Sequence, residues 1–216
     1  MTAHRSLVRR TALAVTAGVA ALVLAACGSD NDSGGHDMGS MNSDSSPSAP
    51  AAAKAGAHND ADVSFAKEMI QHHRQAVDMA DLAADRASSQ EVKDLAAKIK
   101  GAQDPEIKTM SGWLTSWGEE VPEEMSSSMP GMDHDMSSAM PGMMSSADMD
   151  KLDKASGTEF DKMFLEMMVE HHEGAVTMAK SEKSDGKYGP ATKLADDVIT
   201  AQTAEIEQMN KMLGKS

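Results

Sequence analysis

The feature that most constrains this chain is an internal repeat. Displacing the sequence by 99 positions aligns residues 62–114 with 161–213 without a gap, and 17 of those 53 positions are identical. Average residue usage would give roughly three matches by chance. The shared positions include Phe65/Phe164, Met69/Met168, His72-His73/His171-His172, Ala76-Val77/Ala175-Val176 and Met79-Ala80/Met178-Ala179. Further along come Gln103/Gln202, Glu106/Glu205, Met110/Met209 and Leu114/Leu213. Gene duplication accounts for this pattern. The fold must therefore be made from two copies of one unit, each too small to bury a core alone.

The unit reads as a helical hairpin. Phe65, Met69, His72, Ala76, Met79 and Ala83 step by four and three, which is one face of a helix. Ser88-Ser89 makes a turn, and Leu95, Ile99, Gln103, Met110 and Leu114 form a second stripe. In the second copy, Ser184-Asp185-Gly186 makes the turn and Pro190 opens the next helix. Pro105 stands inside its helix where the copy has Ala204, so a kink is expected there. Aromatic residues are 3% of the chain, so the core must come from Ala, Leu, Val, Ile and Met, which favours helices over a β-sandwich. The expectation is an all-α, ferritin-like four-helix bundle over residues 59–216, with hairpins at 60–118 and 155–214.

The histidines lie inside the apolar stripe. His72 and His171 each have Met three residues before and seven after, namely Met69 and Met79, and Met168 and Met178. One turn of a helix takes 3.6 residues, so His73 and His172 flank the same seam. A single His on an apolar face is ordinarily a core residue satisfied by hydrogen bonds. Here the same pair recurs in both halves, where two-fold pseudosymmetry lets the pairs converge. Buried imidazoles beside thioethers are costly unless something coordinates them. A hairpin folded near residue 88 places Gln103 and Glu106 at the level of His72, and Gln202 and Glu205 at that of His171. These side chains would orient imidazoles, act as ligands, or lie on a solvated face. Di-iron bundles use Glu-x-x-His, whereas this chain has Met69-x-x-His72 and Met168-x-x-His171. Thioether with imidazole suits Cu(I) or Ag(I), and imidazoles alone would hold Cu(II).

Between the hairpins, residues 119–150 carry eight of the chain's 20 methionines among Ser, Gly, Pro and Asp. Met129-Pro130-Gly131-Met132, His134-Asp135-Met136 and Met140-Pro141-Gly142-Met143 recur in kind. This composition predicts a disordered insert without a packed core. Exposed methionine is an oxidation liability, so its abundance points to use. Met129, Met132, His134 and Met136 are candidate soft ligands.

Residues 1–26 read as a secretory signal, with Arg5, Arg9 and Arg10 ahead of an apolar stretch too short to span a membrane comfortably. It ends Leu24-Ala25-Ala26-Cys27, which resembles the bacterial lipobox, and Cys27 is the chain's one cysteine. The expected product is lipidated at Cys27 and held on the outer face of the cell membrane by a flexible tether over 27–58. A single Cys excludes an internal disulfide framework and a thiolate metal cage. The net charge of −14 excludes a nucleic-acid partner. No Gly-x-Ser-x-Gly or phosphate-cradling loop is present.

The pattern Phe-x-x-x-Met-x-x-His-His-x-x-Ala-Val-x-Met-Ala, at 65–80 and again at 164–179, resembles the domain-of-unknown-function family numbered 305. The resemblance covers about residues 60–214. It implies an exported bacterial protein with a ferritin-like bundle and a link to copper binding and resistance. It also implies metal ligation by Met69, His72, His73 and Met79 and by Met168, His171, His172 and Met178. The function expected is an extracytoplasmic copper-binding protein that sequesters Cu(I) or hands it to a transporter or chaperone without turnover. Two other readings stay open: a di-metal oxidoreductase holding iron through His, Glu106 and Glu205, and a structural bundle with a Met-filled core.

Overall fold

The computed structural model describes residues 56–123 and 140–215. Five helices account for most of them: α1 (Asp60–Arg86), α2 (Gln90–Trp117), α3 (Ser146–Lys154), α4 (Gly157–Asp185) and α5 (Gly189–Met212). There is no β-strand among the described residues. The two repeats are the hairpins α1–α2 and α4–α5, as the duplication required. Each of these four helices packs most extensively on its own hairpin partner, and the hairpins meet along α1 and α4.

Local signals set the helix ends. Asn59 accepts from the Asp62 N–H while the Asp62 carboxylate accepts from the Asn59 N–H, a capping box that starts α1. Ser89 caps α2, and Gly118 closes it in the left-handed conformation at φ 78°. α2 runs through Pro105 as one helix, with Pro105 and Gly101, the residue whose carbonyl loses a donor, both exposed to water.

Asp62 and Asp161 occupy equivalent positions in the two repeats and do equivalent work. Asp62 accepts from the backbone N–H groups of Lys187 and Tyr188 in the α4–α5 turn, at 3.0 and 2.8 Å. Asp161 accepts from the N–H groups of Ser88 and Ser89 in the α1–α2 turn, both at 3.0 Å, and from the Ser88 hydroxyl. Each hairpin thus ties down the other's turn, satisfying donors that a chain reversal leaves open.

The core is two apolar clusters separated by a polar layer. One holds Phe65, Met69 and Ile70 of α1 with Met178 and Ala179 of α4. The other holds Met79 and Ala83 of α1 with Phe160, Phe164 and Met168 of α4. On both helices the histidine pair falls between the stretches that feed these clusters.

The insert departs from the sequence expectation at its C-terminal end. Residues 146–154 form α3, capped by Ser145 and anchored by Leu152, which is fully buried. Met140, Met143 and Met144 are also buried against the bundle. A polar composition hid one apolar anchor and a Pro-Gly turn, which together suffice to dock the segment. The proposed ligands Met129, Met132, His134 and Met136 lie outside the described residues, as do Cys27 and the whole segment 1–55.

Candidate metal centre

α1 and α4 run antiparallel and bring His72 and His171 face to face. Their ring centroids are 3.7 Å apart with planes inclined by 45°. All four histidines of the two pairs are 0–1% exposed. Burial above all, and then the charge that neighbouring imidazoles would carry, pushes the His72 pKa down to about 3 and that of His171 well below the usual histidine range. Burial also lowers His172, with Glu205 opposing it. At neutral pH the His72–His171 pair is therefore uncharged and offers lone pairs to a cation without first losing protons.

The outer members of each pair are held by carboxylates. His73 Nε2–H donates to Glu106 at 2.7 Å, and His172 Nε2–H donates to Glu205 at 2.9 Å. Lys98 adds an ion pair to Glu205 at 3.2 Å. This corrects the expected pairing, which set Glu106 beside His72 and Glu205 beside His171. The level along the helix was right and the facing was wrong. His73 and His172 look back at the return helix of their own hairpins, whereas His72 and His171 look across the seam at each other. Carboxylate–imidazole bonds of this kind fix the tautomer and leave Nδ1 as the basic nitrogen.

His72 is oriented differently. Its Nε2–H donates to the carbonyl of Pro141 at 3.1 Å, which again leaves Nδ1 free. Five buried imidazole nitrogens have no hydrogen-bond partner: Nδ1 of His72, His73 and His172, and both nitrogens of His171. The buried Gln103 and Gln202 each leave Oε1 unpaired in the same layer. An unmet buried polar group costs about 1–3 kcal/mol, so this layer spends several kcal/mol of a total stability of roughly 5–15. Among the described residues no three His, Cys, Asp or Glu side chains are disposed around one point to hold a metal ion. Thioethers are further candidate ligands to an ion at the histidine pair. The four expected ones, Met69, Met79, Met168 and Met178, are all buried in the clusters that bound the layer.

Several residues of the centre escaped the sequence reading. Met140–Met143 is a turn, closed by the Met143 N–H to the Met140 carbonyl at 3.4 Å, with Gly142 at φ 76°. Gln75 holds its end, accepting from the Met144 N–H at 2.7 Å and donating to the Met144 carbonyl at 2.9 Å. Gly174 lets the turn approach α4, because a Cβ there would collide with the Pro141 carbonyl. The available signals were the Pro-Gly dipeptide, which marks a turn with positive φ at Gly, and a glycine inside a helix. Nearby, a cavity of about 270 Å³ is bordered by Pro141, Phe65, Met178 and Glu182. Glu182 is 2% exposed, and its pKa is pushed up to about 8 by burial and by the nearby Asp62 carboxylate.

No curated protein matches the chain. The Domain of unknown function (DUF305) family matches residues 62–213. Among solved structures, a family protein from Streptomyces coelicolor described as secreted is 35% identical, covering 72% of this chain and 93% of its own at a TM-score of 0.63. A DUF305 fragment from Deinococcus radiodurans is 28% identical, covering 73% and 98% at 0.63. CopM in its Cu(I)-bound form is 36% identical, covering 70% and 94% at 0.56, and CopM has also been solved with Cu(II) and with silver. With the family pattern spanning both hairpins and this all-α fold shared by its solved members, the chain belongs to the DUF305 family.

Proposed function

We propose that this protein binds copper outside the cytoplasm, holding Cu(I) in preference to Cu(II) at the seam between α1 and α4 and either storing it or passing it to a transporter or chaperone. The observation that carries the reading is the buried His72–His171 pair, with rings 3.7 Å apart and three nitrogens unpartnered. Such a pair is expensive in a core that packs only against itself, and it becomes favourable when an ion takes the lone pairs. His73 and His172 adjoin it with their tautomers set by Glu106 and Glu205. Buried thioethers bound the layer on both sides, which suits a soft monovalent ion. The copper- and silver-bound forms of CopM support the same choice of metal. Both carboxylates are already engaged by imidazole N–H groups, which disfavours their use as bridging ligands to iron. We place the protein on the outer face of the membrane through a lipid on Cys27, with Met129, Met132, His134 and Met136 gathering the ion ahead of the bundle. None of the described helices is long and apolar enough to cross a membrane.

Titrating Cu(I) into the purified protein against a competing chelator tests this. The expected result is one site far tighter than about millimolar, lost when His72, His73, His171 and His172 are all changed to Ala. Binding no better than millimolar, or unaffected by those changes, overturns the proposal.

A further inference from the structure

We infer that the Met140–Met143 turn is a ligand-bearing strap, and that the thioethers of Met140 and Met143 complete the coordination of a soft monovalent cation held at His72 and His171. The inference rests on the copper reading above and names ligands beyond those the repeat supplies.

The strap is built into the fold by contacts that differ in kind. Gln75 clasps both backbone groups of Met144. The Pro141 carbonyl accepts from His72 Nε2–H, so the corner of the turn touches the histidine pair itself. Gly142 and Gly174 meet backbone to backbone, since a Cβ on either would collide with the other segment. Gln75 and Gly174 are equivalent positions in the two repeats. The duplicated bundle has diverged where the strap crosses it, with an amide that grips on one helix and bare backbone that yields space on the other.

The two methionines stand apart from the two main apolar clusters. Met140 and Met143 are 6% and 7% exposed, yet neither belongs to either apolar cluster, whereas the adjacent Met144 does. A turn of four residues keeps its first and last Cα within about 7 Å. The turn therefore holds Met140 and Met143 close together on either side of the carbonyl that touches His72. Two imidazoles leave Cu(I) or Ag(I) room for further soft ligands, and thioethers are the neutral donors that such ions select. The cavity bordered by Pro141, Met178 and Glu182 lies against the same strap.

The test uses Met140→Leu/Met143→Leu, which conserves volume and removes both sulfurs, with Met144→Leu as the control. Each protein is loaded with one equivalent of Cu(I) and read by chelator competition and by X-ray absorption at the copper edge. The double variant should bind about ten- to a hundred-fold more weakly and show fewer sulfur neighbours at copper, while Met144→Leu matches the wild type. Gly174→Ala provides a second route. It strengthens the helix while pushing the strap away, and should speed Cu(I) transfer to the chelator about ten-fold. Unchanged affinity and sulfur count in the double variant overturn the strap, even where His72→Ala/His171→Ala abolishes binding. If the histidine variant also binds normally, the copper reading falls with it.

Discussion

The two hairpins carry the same histidine pair, the same flanking methionines and the same carboxylate on the return helix, yet they are not interchangeable. What they share builds the bundle and its polar layer. The differences that matter are Gln75 against Gly174 and Ala83 against Glu182. The first pair docks the strap. The second puts an ionisable group at one end of the bundle only: Asp62 has Glu182 beside it, whereas at the position equivalent to Glu182 the first hairpin has Ala83. Duplication made a symmetric scaffold, and two substitutions gave it a front. The same comparison explains Gly186, where a Cβ would collide with the Glu182 carboxyl; the equivalent Ala87 meets no such group.

The largest expected effect tests what the halves share. His72 and His171 have pKa values pushed far down from about 6.5, His72 to about 3. A base with a depressed pKa contributes stability that is complete above its unfolded value and lost as pH falls toward its folded value. The apoprotein should therefore weaken progressively from about pH 6.5 toward pH 3, by on the order of 4 kcal/mol for His72 alone. Denaturant midpoints measured across that range check it. A flat profile down to pH 4.5, with loss only where carboxylates protonate, would mean that the layer is hydrated.

Next in size is a test of where the halves differ. The Glu182 pKa is raised from 4.5 to about 8 by burial first, then by Asp62 and Asp185. The native state holds a proton that the unfolded chain releases above about 4.5, so this contribution is full below that pH and disappears as pH rises through 8. Glu182→Gln keeps the size of the side chain and cannot ionise. Between pH 5 and 8 the variant should gain steadily on the wild type, finishing ahead by roughly 2 kcal/mol at pH 8. Parallel curves would show that the carboxyl is solvated through the cavity.

Much of this was legible in the sequence because duplication writes the same constraints twice. A stripe such as Phe65, Met69, His72 and Ala76 is suggestive alone and compelling when Phe164, Met168, His171 and Ala175 repeat it. The repeat also fixed the level of Glu106 and Glu205 relative to the histidines. It did not fix their facing, because the choice between His72 and His73 depends on how the hairpins roll against each other. The strap was illegible for the opposite reason. Met140–Met144 has no counterpart in the duplicated hairpins and no helical periodicity, and its docking depends on Gln75 and Gly174, which look unrelated until the seam is assembled.

The smallest expected effect separates the two central histidines. His72 has a protein partner in the Pro141 carbonyl, and both nitrogens of His171 are unpartnered. Replacing a buried polar group by an apolar one of similar size is neutral or stabilising when the group made no bond, and costly when it leaves a partner unmet. His171→Leu should therefore stabilise the apoprotein by about 1 kcal/mol, while His72→Leu strands the Pro141 carbonyl and costs about the same. Thermal melts of the two variants in the presence of a copper chelator read the difference directly. Both variants should lose the gain in melting temperature that Cu(I) gives the wild type, because a ligand stabilises only the state that binds it. Opposite shifts without metal and a common loss with it would identify His171 as the residue whose presence only an ion justifies. Equal destabilisation of both would mean that packing, not coordination, keeps the pair in the core.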